Sequence, residues 1–183
     1  MTEQTVNQAR MKIAIPSLIV IVLLGGLFYS ALDKPEQTLV PSQRVNKPIP
    51  PFTAEVLFEQ REVNLSELKG DYYLLNFWGS WCPTCYQEHP YLMTLKQQGI
   101  KIIGVNYKDT EQGASKFLTQ QGNPYAFSVF DPKGRLAIEM GITAAPETFL
   151  VSPEGNVLYH RVGDMNESIF KQAIKPLIEQ GVL

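Results

Sequence analysis

The chain has 183 residues, with 16 Lys and Arg against 18 Asp and Glu, 44% apolar residues and 10% aromatics. That balance allows one globular core and leaves no charge excess to draw the protein to nucleic acid or acidic surfaces, so no nucleic-acid partner is expected. Its only two cysteines stand three positions apart, in Trp81-Cys82-Pro83-Thr84-Cys85.

Residues 1–12 form a polar tail that ends in Arg10 and Lys12. From Ile13 to Leu32, twenty residues pass without a charge. That is enough for about 30 Å of helix, one bilayer core. Pro16 falls in the first turn, where its missing N–H has no intrahelical partner to lose. A cleaved signal peptide shares the basic start, but its apolar core runs about 7–15 residues and ends in a small-x-small site. Here Tyr29 or Phe28 would stand at the third position back from cleavage after Ala31 or Ser30. The reading is a retained transmembrane anchor over 13–32. The basic residues before it keep the N-terminus cytoplasmic and put the rest across the membrane, in an oxidising compartment. Residues 33–51 hold five of the thirteen prolines and read as a semi-extended tether whose last residues reach the folded domain.

Residues 52–183 have the size of one domain. Tyr72 to Trp78 is a continuous apolar run broken by Asn76, the pattern of a strand buried on both faces. A helix follows with Pro83 at its first position and ends before Gly99. Lys101 to Tyr107 reads as a second buried strand. Asp109 or Thr110 caps another helix, carrying Ala114, Phe117 and Leu118, which closes at Gly122-Asn123-Pro124. Two strands joined through such a helix form a right-handed parallel crossover. Thr148 to Val151 and Val157 to Val162 flank a Pro-Glu-Gly-Asn turn and predict an antiparallel hairpin. A last helix behind Asn166 carries Ile169, Phe170, Ala173, Ile174, Leu177 and Ile178 at helical spacing, with Pro176 as a local irregularity. The order β-α-β-α, β-hairpin, α predicts an α/β fold with a central mixed sheet and helices on both faces.

This map places Cys82 at a helix N-terminus, where unpaired N–H groups and the positive end of the helix dipole favour a thiolate. Cys85, one turn in and expected to be more buried, can resolve a mixed disulfide. As a purely structural bond the pair would contribute little: closing a four-residue loop is worth about 1.9 kcal/mol on the chain-entropy model, against about 4.7 for a hundred residues. A zinc site needs four ligands, and His89 and His160 are the only further ones of the usual kind. A copper carrier needs fewer ligands and stays as the alternative of another class.

The stretches LLNFWGSWCPTC with Glu88, GVNYKD, GNPY and APETFL closely resemble the membrane-anchored, thioredoxin-like thiol:disulfide interchange proteins of bacterial cytochrome c biogenesis, the DsbE or CcmG type. The resemblance covers nearly everything from Lys47 to Leu177. It implies a thioredoxin-like domain in the periplasm behind one inner-membrane helix, with no cofactor beyond a redox-active Cys82–Cys85 disulfide. It implies Cys82 as nucleophile and Cys85 as resolving thiol. Electrons would come from a membrane thiol reductant of the DsbD or CcdA type and pass to apocytochrome c or to a protein of the haem-ligation complex. A general anchored disulfide reductase is the nearer alternative.

The resemblance also implies a cis peptide before Pro146, and a backbone edge around Ala145 and Pro146 to which an extended substrate adds. Expected substrate contacts are Trp81, Pro83 and Thr84 beside the cysteines, with Ala145, Pro146 and Glu147 opposite. Ordinary thioredoxins carry a buried Asp where Asn76 stands. Glu88, at i,i+3 from Cys85, is the expected replacement as proton-exchange partner. Glu147 is expected to shape an acidic groove, Trp78 to be core, and His89 and His160 to lie at the surface. Thr143 and Ala144 replace the family's usual glycine and aromatic before Ala-Pro, which bears on groove shape.

Overall fold

The computed structural model of the protein describes residues 20–28 and 43–181. Residues 20–28 are helical, with exposed Val20, Ile21, Val22, Leu23, Leu24, Leu27 and Phe28. No helix among the described residues is long and apolar enough to cross a membrane. The greater part of the expected anchor at 13–32, and 33–42 of the expected tether, lie outside the described residues.

The end of the proline-rich stretch is built into the domain. Asn46 donates its N–H to the Val157 carbonyl at 2.8 Å, Val157 donates to Lys47 at 2.9 Å, and Ile49 donates to Gly155 at 3.0 Å. Ile49 is buried. Prolines 48, 50 and 51 have no N–H to offer, so the pairing falls to Asn46, Lys47 and Ile49.

A short hairpin follows, β1 (Thr53–Glu55) against β2 (Glu62–Asn64), then a 3₁₀ turn over Leu65–Leu68. The central sheet has the order β5-β4-β3-β6-β7, comprising β3 (Tyr73–Trp78), β4 (Ile102–Tyr107), β5 (Phe127–Asp131), β6 (Glu147–Val151) and β7 (Val157–Val162). β3, β4 and β5 run parallel, and β6 is antiparallel to both β3 and β7. Every residue of β3 and β4 is buried, as the continuous apolar runs predict.

Alternation along β3 divides the core in two. Leu75 and Phe77 meet Ile103, Val105, Val129 and Phe149 beneath the N-terminal hairpin and α3 (Arg135–Met140). Leu74 and Trp78 face α1 (Pro83–Gln97), α2 (Glu111–Gln121) and the C-terminal helix through Leu92, Leu95, Phe117, Phe170 and Ile174. The expected mixed sheet with helices on both faces is present.

The expected element order gains the β1–β2 hairpin and, within the central sheet, a strand and the helix that follows it. β5 carries the buried polar residues Ser128 and Asp131 in its five positions, which breaks the apolar run that marked β3 and β4. α3 has six residues, too few to show a helical period. Asp131 starts it by accepting the N–H groups of Arg135 at 2.8 Å and Ala137 at 3.0 Å.

The C-terminal helix begins at Glu167–Ile169, with Asn166 Oδ1 accepting from the Ile169 N–H at 3.1 Å. It widens into a π-helical turn over Phe170–Ile174 before Lys175–Gly181. The widened turn sits immediately before Pro176, whose ring would otherwise meet the carbonyl four residues back.

Candidate active site

β3 brings the chain to the C-terminal edge of the sheet, where Gly79-Ser80-Trp81 turns it into α1. Asp109, just beyond β4, holds that turn. Its Oδ2 accepts the Ser80 N–H at 2.6 Å and Asn106 Nδ2 at 2.9 Å, and its Oδ1 accepts the Ser80 hydroxyl and the Thr110 N–H, each at 2.8 Å. Trp81 folds back to donate its indole N–H to the Tyr107 carbonyl at 3.1 Å. Half of its surface stays exposed beside the cysteines.

Cys82 is the N-cap of α1 and Pro83 the first helical residue. The Cys82 sulfur accepts the Cys85 N–H at 3.1 Å, a first-turn amide that also reaches the Cys82 carbonyl at 3.1 Å. The two Cα atoms are 5.3 Å apart and the sulfurs are joined as a disulfide. The expected difference in exposure is corrected: both cysteines are 2% exposed. The reason is the facing loop, whose Ala145 carbonyl lies 3.3 Å from the Cys82 sulfur. The Ala145–Pro146 peptide is cis, as the resemblance implies. Pro83 is exposed and Thr84 half-buried at the rim, while Pro146 is buried and Ala145 half-buried opposite.

Glu88 lies one turn beyond Cys85 and is buried. Both of its hydrogen bonds come from neutral donors: Asn76 Nδ2 to Oε1 and the Met165 N–H to Oε2, each at 2.9 Å. Burial pushes its carboxyl up to about 7, against the lowering effect of the two donors. Asn76, at the centre of β3, organises this pocket. Its Nδ2 also reaches Thr148 Oγ1 at 3.0 Å, and its Oδ1 accepts the Tyr125 hydroxyl at 2.9 Å. Sequence reasoning missed Tyr125, Thr148 and Met165 because they reach the pocket from three other segments. The GNPY stretch was the signal that held Tyr125.

Glu147 and both histidines sit differently from their expectations. Glu147 is fully buried and turned away from the groove, with Oε1 accepting the Thr143 N–H (2.8 Å), the Thr143 hydroxyl (2.8 Å) and the Ala144 N–H (2.9 Å). Its Oε2 meets His160 Nε2 at 2.7 Å. Burial alone would raise its carboxyl, but the donors from His160, Ala144 and Thr143 hold it below the ordinary value. His160 is therefore no surface residue: its ring stacks on Phe149 with centroids 4.0 Å apart and planes at 9°. His89 is buried against Phe117 and donates to the Gly122 carbonyl at 2.9 Å, and burial lowers its affinity for a second proton. Trp78 is core, stacked on Tyr125. Among the described residues no group of three or more His, Cys, Asp or Glu side chains could hold a metal ion.

A mixed sheet of this order, with a two-cysteine helix N-terminus against a cis-proline loop, defines a thioredoxin-like thiol:disulfide oxidoreductase. The Redoxin family model matches residues 44–174. The thiol:disulfide interchange protein DsbE of Vibrio cholerae serotype O1 is 42% identical over 174 residues, covering 92% of this chain and 95% of that protein. The DsbE of Escherichia coli (strain K12) is 38% identical over 176 residues, covering 93% and 95%. The crystal structure of a Chlorobium tepidum protein assigned as a thiol:disulfide interchange protein DsbE is 29% identical and superimposes with a TM-score of 0.63, over 76% of this chain and 98% of that one. The chain belongs to the Redoxin family, within its DsbE group of thiol:disulfide interchange proteins.

Proposed function

We propose that the protein is a membrane-anchored periplasmic reductant of cytochrome c maturation. In this reading Cys82 attacks the disulfide of an apocytochrome c haem-binding motif, or of a haem-ligation partner, and Cys85 resolves the mixed disulfide. A membrane thiol reductant of the DsbD or CcdA type returns the pair to dithiol. The sequence span 13–32 is the anchor, and the domain works across the inner membrane from the basic tail. No resident cofactor takes part.

The observation that carries the chemistry is the Cys82–Cys85 pair at the α1 N-terminus, with the Ala145 carbonyl 3.3 Å from the Cys82 sulfur. On reduction the Cys82 thiol can donate to that carbonyl, and the thiolate draws on the first-turn amides. A substrate strand adds to the backbone at Ala145 and Pro146, touching Trp81, Pro83 and Thr84. When the substrate takes both electrons, Cys85 must lose a proton to attack. Glu88, buried and poised near neutrality, is the group that takes it. DsbE kinship across most of the chain supports the compartment and the pathway.

The test is a trap. Cys85→Ala, expressed with the native anchor in its source organism, holds partners on Cys82 as mixed disulfides, which are isolated without reductant and identified. Apocytochrome c or haem-ligation proteins, together with a membrane electron donor, are the expected harvest. A broad set of unrelated exported proteins would leave the chemistry intact and replace cytochrome maturation with general disulfide reduction. Stoichiometric copper binding by the reduced protein, lost on changing His89 or His160, would instead favour the copper carrier.

A further inference from the structure

We propose that Arg161 is a positioning residue for the proton step at Cys85, acting on Glu88 through a single peptide unit, the one that joins Asp164 to Met165. The proposal rests on the reading above, that Glu88 takes the proton Cys85 loses.

The sheet register brings Arg161 to this pocket. Asn76 on β3 stands opposite Thr148 on β6, and Thr148 stands opposite Arg161 on β7, so the three residues form one row across the sheet and share a face. Asn76 fixes the inner end of the row, donating to Thr148 Oγ1 at 3.0 Å and to Glu88 Oε1 at 2.9 Å. Arg161 is the outer end. Its Nε donates to the Asp164 carbonyl at 3.2 Å, across Gly163, whose φ of +94° turns the chain back at the end of the strand.

That carbonyl and the Met165 N–H belong to one planar unit and point in opposite directions from it. Arg161 grips the oxygen, and the N–H meets Glu88 Oε2 at 2.9 Å. The grip fixes the plane, and a cationic donor on the carbonyl also polarises the N–H at the other end, strengthening its bond to the carboxylate. The ion pair beside it is a lesser matter. Arg161 Nη2 and Asp164 Oδ1 are 3.7 Å apart and the Asp164 side chain is 42% exposed, so water screens most of that attraction. The titratable groups that face Glu88 are Cys85 on its own helix, Tyr125 across Asn76, and Asp164 on the turn, whose charge favours the protonated carboxyl. Arg161 therefore opposes protonation of Glu88 in two ways, through the amide it aims and through the Asp164 charge it partly offsets.

The test follows the Glu88 carboxyl carbon by NMR in the oxidised full-length protein, in which neither cysteine titrates. A carboxylate that loses a donor binds its proton more tightly, so Arg161→Met should move the titration midpoint up by about one pH unit. Arg161→Gln carries no charge but places an N–H donor as far along the side chain as Nε, and should return the midpoint to within about a third of a pH unit of the parent. In the reduced protein the step near neutrality in the pH profile of exchange should move with the midpoint. An unmoved midpoint in Arg161→Met, or a glutamine variant that titrates like the methionine one, would overturn the proposal. If methionine is not tolerated, Arg161→Ala should give the same upward move, and a parental midpoint there would count equally against it. Glu88→Gln separates the two readings. An exchange profile that it leaves unchanged sinks the proton role of Glu88, whereas a profile that loses its step, with the midpoint unmoved in Arg161→Met, sinks only the positioning by Arg161.

Discussion

Ser80 donates its backbone N–H to Asp109 at 2.6 Å, tying the turn that enters the active-site helix to the loop that leaves the neighbouring parallel strand. The Ser80 hydroxyl and Asn106 reach the same carboxylate. Removing it in Asp109→Ala leaves three part-buried donors unpaired, the Ser80 N–H, the Ser80 hydroxyl and the Asn106 amide, at about 1–3 kcal/mol in all. A lower urea midpoint and slower disulfide exchange are expected, and Asp109→Asn should recover part of both. An alanine variant with parental stability and rate would show that the turn holds without this tie.

Glu88 makes stability depend on pH in a stated direction. Its folded-state affinity for a proton is raised, from the ordinary 4.5 to about 7. Between those values the unfolded chain has released the proton and the folded chain keeps it, so stability falls as pH rises through that window. Above it the accumulated loss is on the order of 3 kcal/mol. Chemical denaturation of the oxidised protein from pH 4 to 8 should show the decline, and Glu88→Gln should flatten it. The same variant should remove a step near neutrality from the pH profile of exchange, and an unchanged profile would end the proton-transfer role.

Tyr125→Phe isolates a single hydroxyl, because phenylalanine keeps the stack on Trp78 with centroids 5.3 Å apart. The lost hydroxyl leaves Asn76 Oδ1 without the donor now 2.9 Å away. A loss of about 1–3 kcal/mol is expected in guanidinium unfolding. Stability within a few tenths of the parent would mean the Asn76 amide finds another partner.

Gly104 stands in the middle of β4, where an added Cβ would lie 2.7 Å from Trp78 Nε1 and 3.1 Å from Tyr125 Cδ1. Gly104→Ala should therefore destabilise by about 1–3 kcal/mol through overpacking. It should also disturb the Asn76–Tyr125–Glu88 pocket, shifting the pH response described above. Parental melting and an unaltered pH response would show that Trp78 and Tyr125 move aside without cost.

What could be read in the sequence was what neighbouring residues determine. Buried runs marked β3 and β4, a turn between apolar segments marked the β6–β7 hairpin, and Pro83 behind Cys82 marked a helix start. Each is a local signal, set by side-chain periodicity and by which residues accept a given backbone conformation. The two-cysteine spacing carried the chemical class in the same way, since reach between sulfurs one turn apart is a local property.

Only the folded chain decided the rest. β5 forms through its backbone pairing with β4 and the Leu57 N–H that the Ser128 carbonyl accepts, and α3 starts on the Asp131 carboxylate, so the polar positions of β5 did not read as a strand. Glu147 and His160 looked like groove and surface residues while their neighbours were unknown. The sheet register that sets His160 against Phe149, and the loop that delivers three donors to one carboxylate, turned them inward. Glu88, one turn past Cys85, was visible as a candidate, but its neutral surroundings come from Asn76 on β3 and Met165, 77 residues along the chain. Burial and the choice of partner depend on contacts between distant segments, and those exist only once the sheet has assembled.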